Sequence, residues 1–181
     1  MTERVGALSH LVHLIARLRV ALGFACGIAV FWLAAPTRMT ILAGLPFAIA
    51  GELVRLWAAG HLNKSREVTS SGPYMLVAHP LYLGSSIIGA GLAIGSGSLV
   101  VGAIVVIYLA VTLSAAIRSE EAFLHRVFSD DYIEYRHRRQ VDRTRRFSWD
   151  RAMANREWRA MAGVVLALLL LIFKATYNGV F

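Results

Sequence analysis

The feature that most constrains this chain is where charge is missing. Residues 20–35, 39–59, 81–94, 99–117 and 161–177 are almost wholly apolar, broken only by Glu52 and Arg55 in the second stretch and Lys174 in the last. Lys, Arg, Asp and Glu crowd into the segments between them. An uncompensated charge in hydrocarbon costs several kcal/mol, so membrane chains divide their residues in this way. Hydrophobic residues make up 57% of the sequence and charged ones 17%, against about 45–50% and about 25% in soluble domains. The pattern predicts an all-α polytopic transmembrane bundle, one integral membrane domain over residues 1–181, with spans at about 14–35, 39–60, 79–95, 98–117 and 159–177. Arg17 and Arg19 then snorkel toward headgroups. Gly95-Ser96-Gly97-Ser98 allows only a tight hairpin between the third and fourth spans. Bulky Phe31-Trp32-Leu33 and the spans that follow argue against reading the first block as a cleaved signal peptide.

Five spans place the loops alternately on two sides. One side holds sixteen of the nineteen Lys and Arg residues, eleven of them between Arg118 and Arg159, and the other holds Arg38 and Lys174. The positive-inside rule makes the basic side, with the N-terminus, cytoplasmic. The same rule accounts for the net charge of +8 without a nucleic-acid partner. A single cysteine, Cys26, excludes an internal disulfide and reads as a small apolar core group. His10 and His13 share a helical face but have no evident third ligand, so no metal site is expected. The glycines at 89, 91 and 95 miss dinucleotide-loop spacing and follow no strand; they predict close helix packing through small residues. The sequence leaves the oligomeric state open.

Three polar groups converge on the cytoplasmic side. Gly72-Pro73-Tyr74 precedes His79-Pro80-Leu81-Tyr82-Leu83-Gly84 at the mouth of the third span; Glu120-Glu121 ends the fourth; Phe128, Tyr132 and Tyr135 lead into Arg136, Arg138 and Arg139. Each has an ordinary explanation alone. Pro80 starts a helix, where its missing N–H is harmless. Glu120 and Glu121 form a solvated face, although the macrodipole at a helix C-terminus disfavours acids. Tyr132 and Tyr135 make an interfacial aromatic pair.

Taken in order, Gly-Pro-Tyr, His-Pro-x-Tyr-x-Gly, an apolar hairpin and Glu-Glu-x-x-Leu-x-x-x-Phe-x-x-x-Tyr-x-x-Tyr, the groups resemble the isoprenylcysteine carboxyl methyltransferase and phospholipid methyltransferase superfamily. The resemblance covers about residues 55–139 by motif and reaches more loosely to residues 155–159, which look like bacterial members. Two positions depart from the pattern: Ala78 stands where the superfamily usually has Arg, and Ser129 where it usually has Gly.

The resemblance implies an S-adenosylmethionine-dependent methyltransferase of the cytoplasmic membrane, acting on a lipophilic acceptor such as a prenylcysteine-like carboxylate or a phospholipid amine. It implies cofactor binding by Tyr74, His79, Pro80, Tyr82, Gly84, Glu120, Glu121, Phe128, Tyr132 and Tyr135, with Arg55 and Arg139 at the reacting centre. A carboxylate suits the cofactor's ammonium through a charge-assisted hydrogen bond, and an aromatic face suits its adenine or sulfonium. One glutamate is expected to face the cofactor while the other pairs with Arg118, His125 or Arg126. Residues 118–158 are expected to fold over the site as a lid. Glu52 and Arg55, three apart on one helical face, are expected to face the bundle, where they offset each other's charge or Arg55 meets the acceptor. Two rival readings remain: a membrane binding protein of this fold without catalysis, suggested by Ala78, and an NADPH-dependent enzyme like the sterol reductases.

Overall fold

The structure, a computed structural model, describes residues 18, 21, 23–63, 67–136 and 142–180, with the side chains of residues 125 and 128–136 left aside. The helices are α1 (Gly23–Leu33), α2 (Arg38–His61), α3 (Pro80–Gly95), α4 (Leu99–Arg136), α5 (Trp149–Ala154) and α6 (Glu157–Tyr177), with a 3-10 turn at Gly72–Met75. No strand occurs among the described residues. The molecule is an all-helical membrane bundle. Arg38–His61, Leu99–Leu124 and Glu157–Tyr177 are long and apolar enough to cross a bilayer, while Gly23–Leu33 and Pro80–Gly95 are shorter apolar helices. At 1.5 Å per residue α3 is about 24 Å long, short of the ~30 Å hydrocarbon core.

The fourth helix does not stop at 117, where its apolar stretch ends. It runs on to Arg136, about 57 Å in all, so a long arm leaves the membrane zone. Residues 118–136 contain neither Gly nor Pro. Hydropathy marks the edge of the bilayer there, and nothing in the chain ends the helix.

Local sequence sets the other boundaries. Thr37 caps α2 by accepting a hydrogen bond from the Thr40 amide, while Thr40 Oγ1 accepts one from the Thr37 amide at 2.9 Å. Pro80 opens α3 at a position that needs no N–H. The α3–α4 hairpin turns at Ser96-Gly97, with Gly97 at φ +65°. Ser96 O accepts from the Ala35 amide at 2.8 Å, which ties this turn to the α1–α2 turn.

Helices α2 and α3 form the tightest seam. A Cβ placed on Gly44 would lie 2.2 Å from Gly91 O, one on Gly91 2.6 Å from the Ala48 amide, and one on Gly51 2.6 Å from Gly84 O. Small residues let the two backbones touch, as close-packed membrane helices require. Gly89, Gly91 and Gly95 all pack closely as expected, with Gly89 facing Val105 and Leu109 of α4.

The C-terminal end of α2 is held by the segment before α6. Arg151 Nε donates to Gly60 O at 2.8 Å, Asn155 Nδ2 to Ala59 O and Leu62 O at 2.9 Å each, and the Ser148 amide to Gly60 O at 3.1 Å. These carbonyls have no partner within their own helix, and cationic side chains also complement the negative end of its dipole. The segment expected as a single lid thus divides in two: residues 118–136 extend α4, and residues 142–156 dock on α2.

Candidate active site

His79 and Glu120-Glu121 lie forty residues apart in sequence, and the α3–α4 hairpin brings them together. His79 Nδ1 lies 3.9 Å from Glu120 Oε2, and His79 Nε2 3.6 Å from Glu121 Oε1. Both distances are beyond direct hydrogen bonding. His79 Nε2 is buried and has no hydrogen-bond partner among the described residues. Both glutamates therefore flank His79.

Tyr82 packs on His79, ring centroids 5.6 Å apart. Pro80 is buried beneath the motif at the first turn of α3. Tyr74 sits in the 3-10 turn just before it. Gly84 is turned away from this cluster: a Cβ there would strike Arg55 Cγ at 2.5 Å and Gly51 O at 2.7 Å, so the position serves the α2–α3 seam. The side chains of Phe128, Tyr132 and Tyr135, and the whole of Arg139, lie outside the described residues. His10 and His13 lie outside them as well.

Tyr82 also borders an apolar cavity of about 1040 Å³ walled by α1, α3, α4 and α6, with Arg55 and Ser85 at one end and Phe31 and Trp32 at the other. The far end is fastened by Lys174, whose Nζ donates to Phe31 O at 2.5 Å and Trp32 O at 2.9 Å. A smaller groove of about 420 Å³ runs between α3 and α4 past Ala78, His79 and Ser86, and Tyr82, Leu109 and Leu113 line both spaces. Ala78 is exposed there and leaves that groove without the expected cation.

Arg55 does not pair with Glu52. Its Nε donates to Glu157 Oε1 at 2.7 Å and its Nη2 to Glu157 Oε2 at 3.1 Å, a bidentate contact that closes α6 onto α2. Nη1 donates to Ser85 Oγ at 2.5 Å and Leu81 O at 3.4 Å. The carboxylate oxygens of Glu52 are buried and have no hydrogen-bond partner among the described residues. Spacing along α2 suggested a local pair; a carboxylate 102 positions away took the guanidinium. The one sign of Glu157 in the sequence was a lone acid opening the last apolar span, since charges at membrane depth need partners.

Away from the membrane zone, Arg145 pairs with Glu67 and lies 3.5 Å from Asp142. The Arg145 hydrogen bond holds the Glu67 carboxyl below its ordinary range, and Glu67 in turn holds the Arg145 guanidinium above its own.

A sequence model of phospholipid methyltransferases matches residues 13–131, which include His79, Tyr82, Glu120 and Glu121. The chain belongs to the phospholipid methyltransferase family. That family lies within the isoprenylcysteine carboxyl methyltransferase-like superfamily, so the resemblance read from the motifs holds. The family takes its name from membrane enzymes that methylate phospholipids. The chain is similar to the nickel-cobalt-cadmium resistance protein NccN of Alcaligenes xylosoxydans xylosoxydans, 34% identical over 105 residues, 56% of this chain and 48% of that one. It is similar to the cobalt-zinc-cadmium resistance protein CzcN of Cupriavidus metallidurans, 34% identical over 106 residues, 57% of this chain and 47% of that one. The chain thus spans about half the length of the curated relatives it matches. No solved structure matches.

Proposed function

We propose that this chain is an S-adenosylmethionine-dependent methyltransferase that modifies a lipophilic acceptor, a prenylcysteine-like carboxylate or a phospholipid amine, at the cytoplasmic face of the membrane. One observation carries the reading: Tyr82 belongs both to the polar cluster of His79, Glu120 and Glu121 and to the wall of the large apolar cavity. A polar cofactor and an apolar acceptor need such a meeting point.

The donor set fits the cofactor. Two carboxylates beside an imidazole whose buried Nε2 has no hydrogen-bond partner among the described residues suit a ligand with an ammonium and a carboxylate. When bound, S-adenosylmethionine supplies a methyl group on a positively charged sulfur. Glu120 and Glu121 would hold its ammonium and His79 its carboxylate or ribose, with Tyr82 against its flat or cationic portion. The protein's share of methyl transfer is to align the two reactants and exclude water. Arg55, Ser85 and Tyr82 hold the head of the acceptor and the apolar walls its tail. The α4 arm, carrying both glutamates above His79, takes the role of a lid.

The test is calorimetric binding of S-adenosylhomocysteine to the purified protein, with methyl transfer from labelled cofactor into a lipid extract beside it. Glu120→Gln or Glu121→Gln should weaken binding about 10- to 100-fold, as loss of a charge-assisted hydrogen bond of about 1.5–3 kcal/mol requires. Parent-like binding by both variants defeats the assignment. The second reading, a binding protein without turnover, draws on Ala78 in place of the usual arginine; tight cofactor binding with no transfer to any lipid would establish it.

A further inference from the structure

We infer that the large cavity selects an acceptor with an uncharged head over one that ends in a carboxylate, because Arg55, the cation at its polar end, is already neutralised by Glu157. The inference rests on reading that cavity as the acceptor site, and of the two acceptor classes proposed above it argues against the carboxylate.

A guanidinium has five N–H donors in a fixed plane. In Arg55 one goes from Nε to Glu157 Oε1, one from Nη2 to Glu157 Oε2, and two from Nη1 to Ser85 Oγ and Leu81 O. One N–H of Nη2 remains. An incoming carboxylate binds arginine best through two parallel N–H bonds, and that edge is taken. A neutral carbonyl, hydroxyl or amine needs only one donor.

Charge points the same way. Glu157 is 5% exposed and Arg55 19% at their side chains, so their attraction is little screened and the pair behaves as a closed unit. Glu52, one turn earlier on α2, is within electrostatic range of both. An anionic head would leave water for a place with no free positive charge, at a cost of several kcal/mol. Ser85, Tyr82 and Thr112 supply neutral polar contacts along the same wall.

The backbone holds Glu157 in this position. Arg156, the residue before it, is the one non-glycine with positive φ among the described residues, at +61°. Asn155, just ahead, is bonded to two carbonyls of the α2 terminus. A left-handed residue costs about 1 kcal/mol or more and persists where its surroundings fix it. Here it turns the chain so that the first residue of α6 points inward at Arg55.

The experiment is competition for a photoactivatable dodecyl amide that crosslinks to the cavity walls of the full chain in lipid nanodiscs. Dodecanamide and dodecanoate are compared as competitors in alkaline buffer, where the acid is ionised. In the parent, dodecanamide should compete at a concentration at least about tenfold lower. Glu157→Gln frees the guanidinium, and the preference should close or reverse; Glu157→Asp should restore it. Equal or better competition by dodecanoate in the parent overturns the inference without need of any variant. So does an unchanged preference in a folded Glu157→Gln protein. Failure of the probe to label the cavity overturns it together with the acceptor site. Intact selectivity without methyl transfer leaves the inference standing and removes only the catalytic reading.

Discussion

A methyl group at position 44 has no room. It would sit 2.2 Å from Gly91 O, a backbone atom that cannot rotate aside as a side chain can. Gly→Ala in a helix normally gains up to about 1 kcal/mol from propensity, whereas overpacking a seam costs about 1–3 kcal/mol. The second effect should win, and Gly44→Ala should lower the thermal midpoint in detergent. Gly102→Ala meets nothing within 4 Å and should hold or raise it. Equal midpoints for the two variants would show that the α2–α3 contact is looser than described. At this scale the sequence was partly legible. It marked Gly89, Gly91 and Gly95 as packing positions but not that Gly89 faces α4 while Gly91 faces α2, since composition says which residues are small and not which way they point. The Arg55 partner was illegible for a related reason. Helical spacing reports neighbours on one helix, and the register between α2 and α6 is written in no local pattern.

At the scale of elements, the C-terminal end of α2 depends on a chain segment that follows it by nearly a hundred residues. Glu67 and Arg145 help to hold that segment down. The Glu67 carboxyl titrates below its reference value of 4.5 in the folded protein, chiefly through the Arg145 hydrogen bond. A group with a depressed folded pKa stabilises the fold above its unfolded pKa, and the contribution disappears as pH falls through the lower folded value. Because the Glu67 side chain is 38% exposed, solvent screening limits the pair to about 0.5 kcal/mol. Glu67→Gln should therefore lower the thermal midpoint slightly at neutral pH, and the gap from the parent should vanish in acid. A gap of constant size from neutral to acid pH would show that the ion pair is not its source. The two parts of the expected lid segment were not separable in the sequence, because a polar, basic stretch looks alike whether it continues a helix, as in residues 118–136, or docks on another helix end.

Across the whole molecule, sixteen basic residues on one side against two on the other predict a cytoplasmic N-terminus. Single cysteines introduced in a Cys26→Ala background should make the orientation visible. An impermeant thiol reagent added outside should label Ser98→Cys at the α3–α4 turn and spare Arg143→Cys. The reverse pattern would invert the topology. The apolar blocks foretold where helices lie in the described chain, but α3, only 16 residues long, stayed ambiguous because length alone does not distinguish a tilted or thinned crossing from a partial one.

The seam between α2 and α3 has an evolutionary side. Those two helices meet backbone to backbone through glycine, so almost any substitution there is felt as strain. Across the cavity, α1 is fastened at its end by a lysine, and α4 presents Val105, Leu109 and Leu113 as replaceable padding. One wall tolerates almost no change, and the facing wall can be rewritten side chain by side chain. If the cavity holds the acceptor as proposed, a lineage carrying this fold can change that acceptor through a few substitutions on α1 and α4 while leaving untouched the seam that keeps the protein folded.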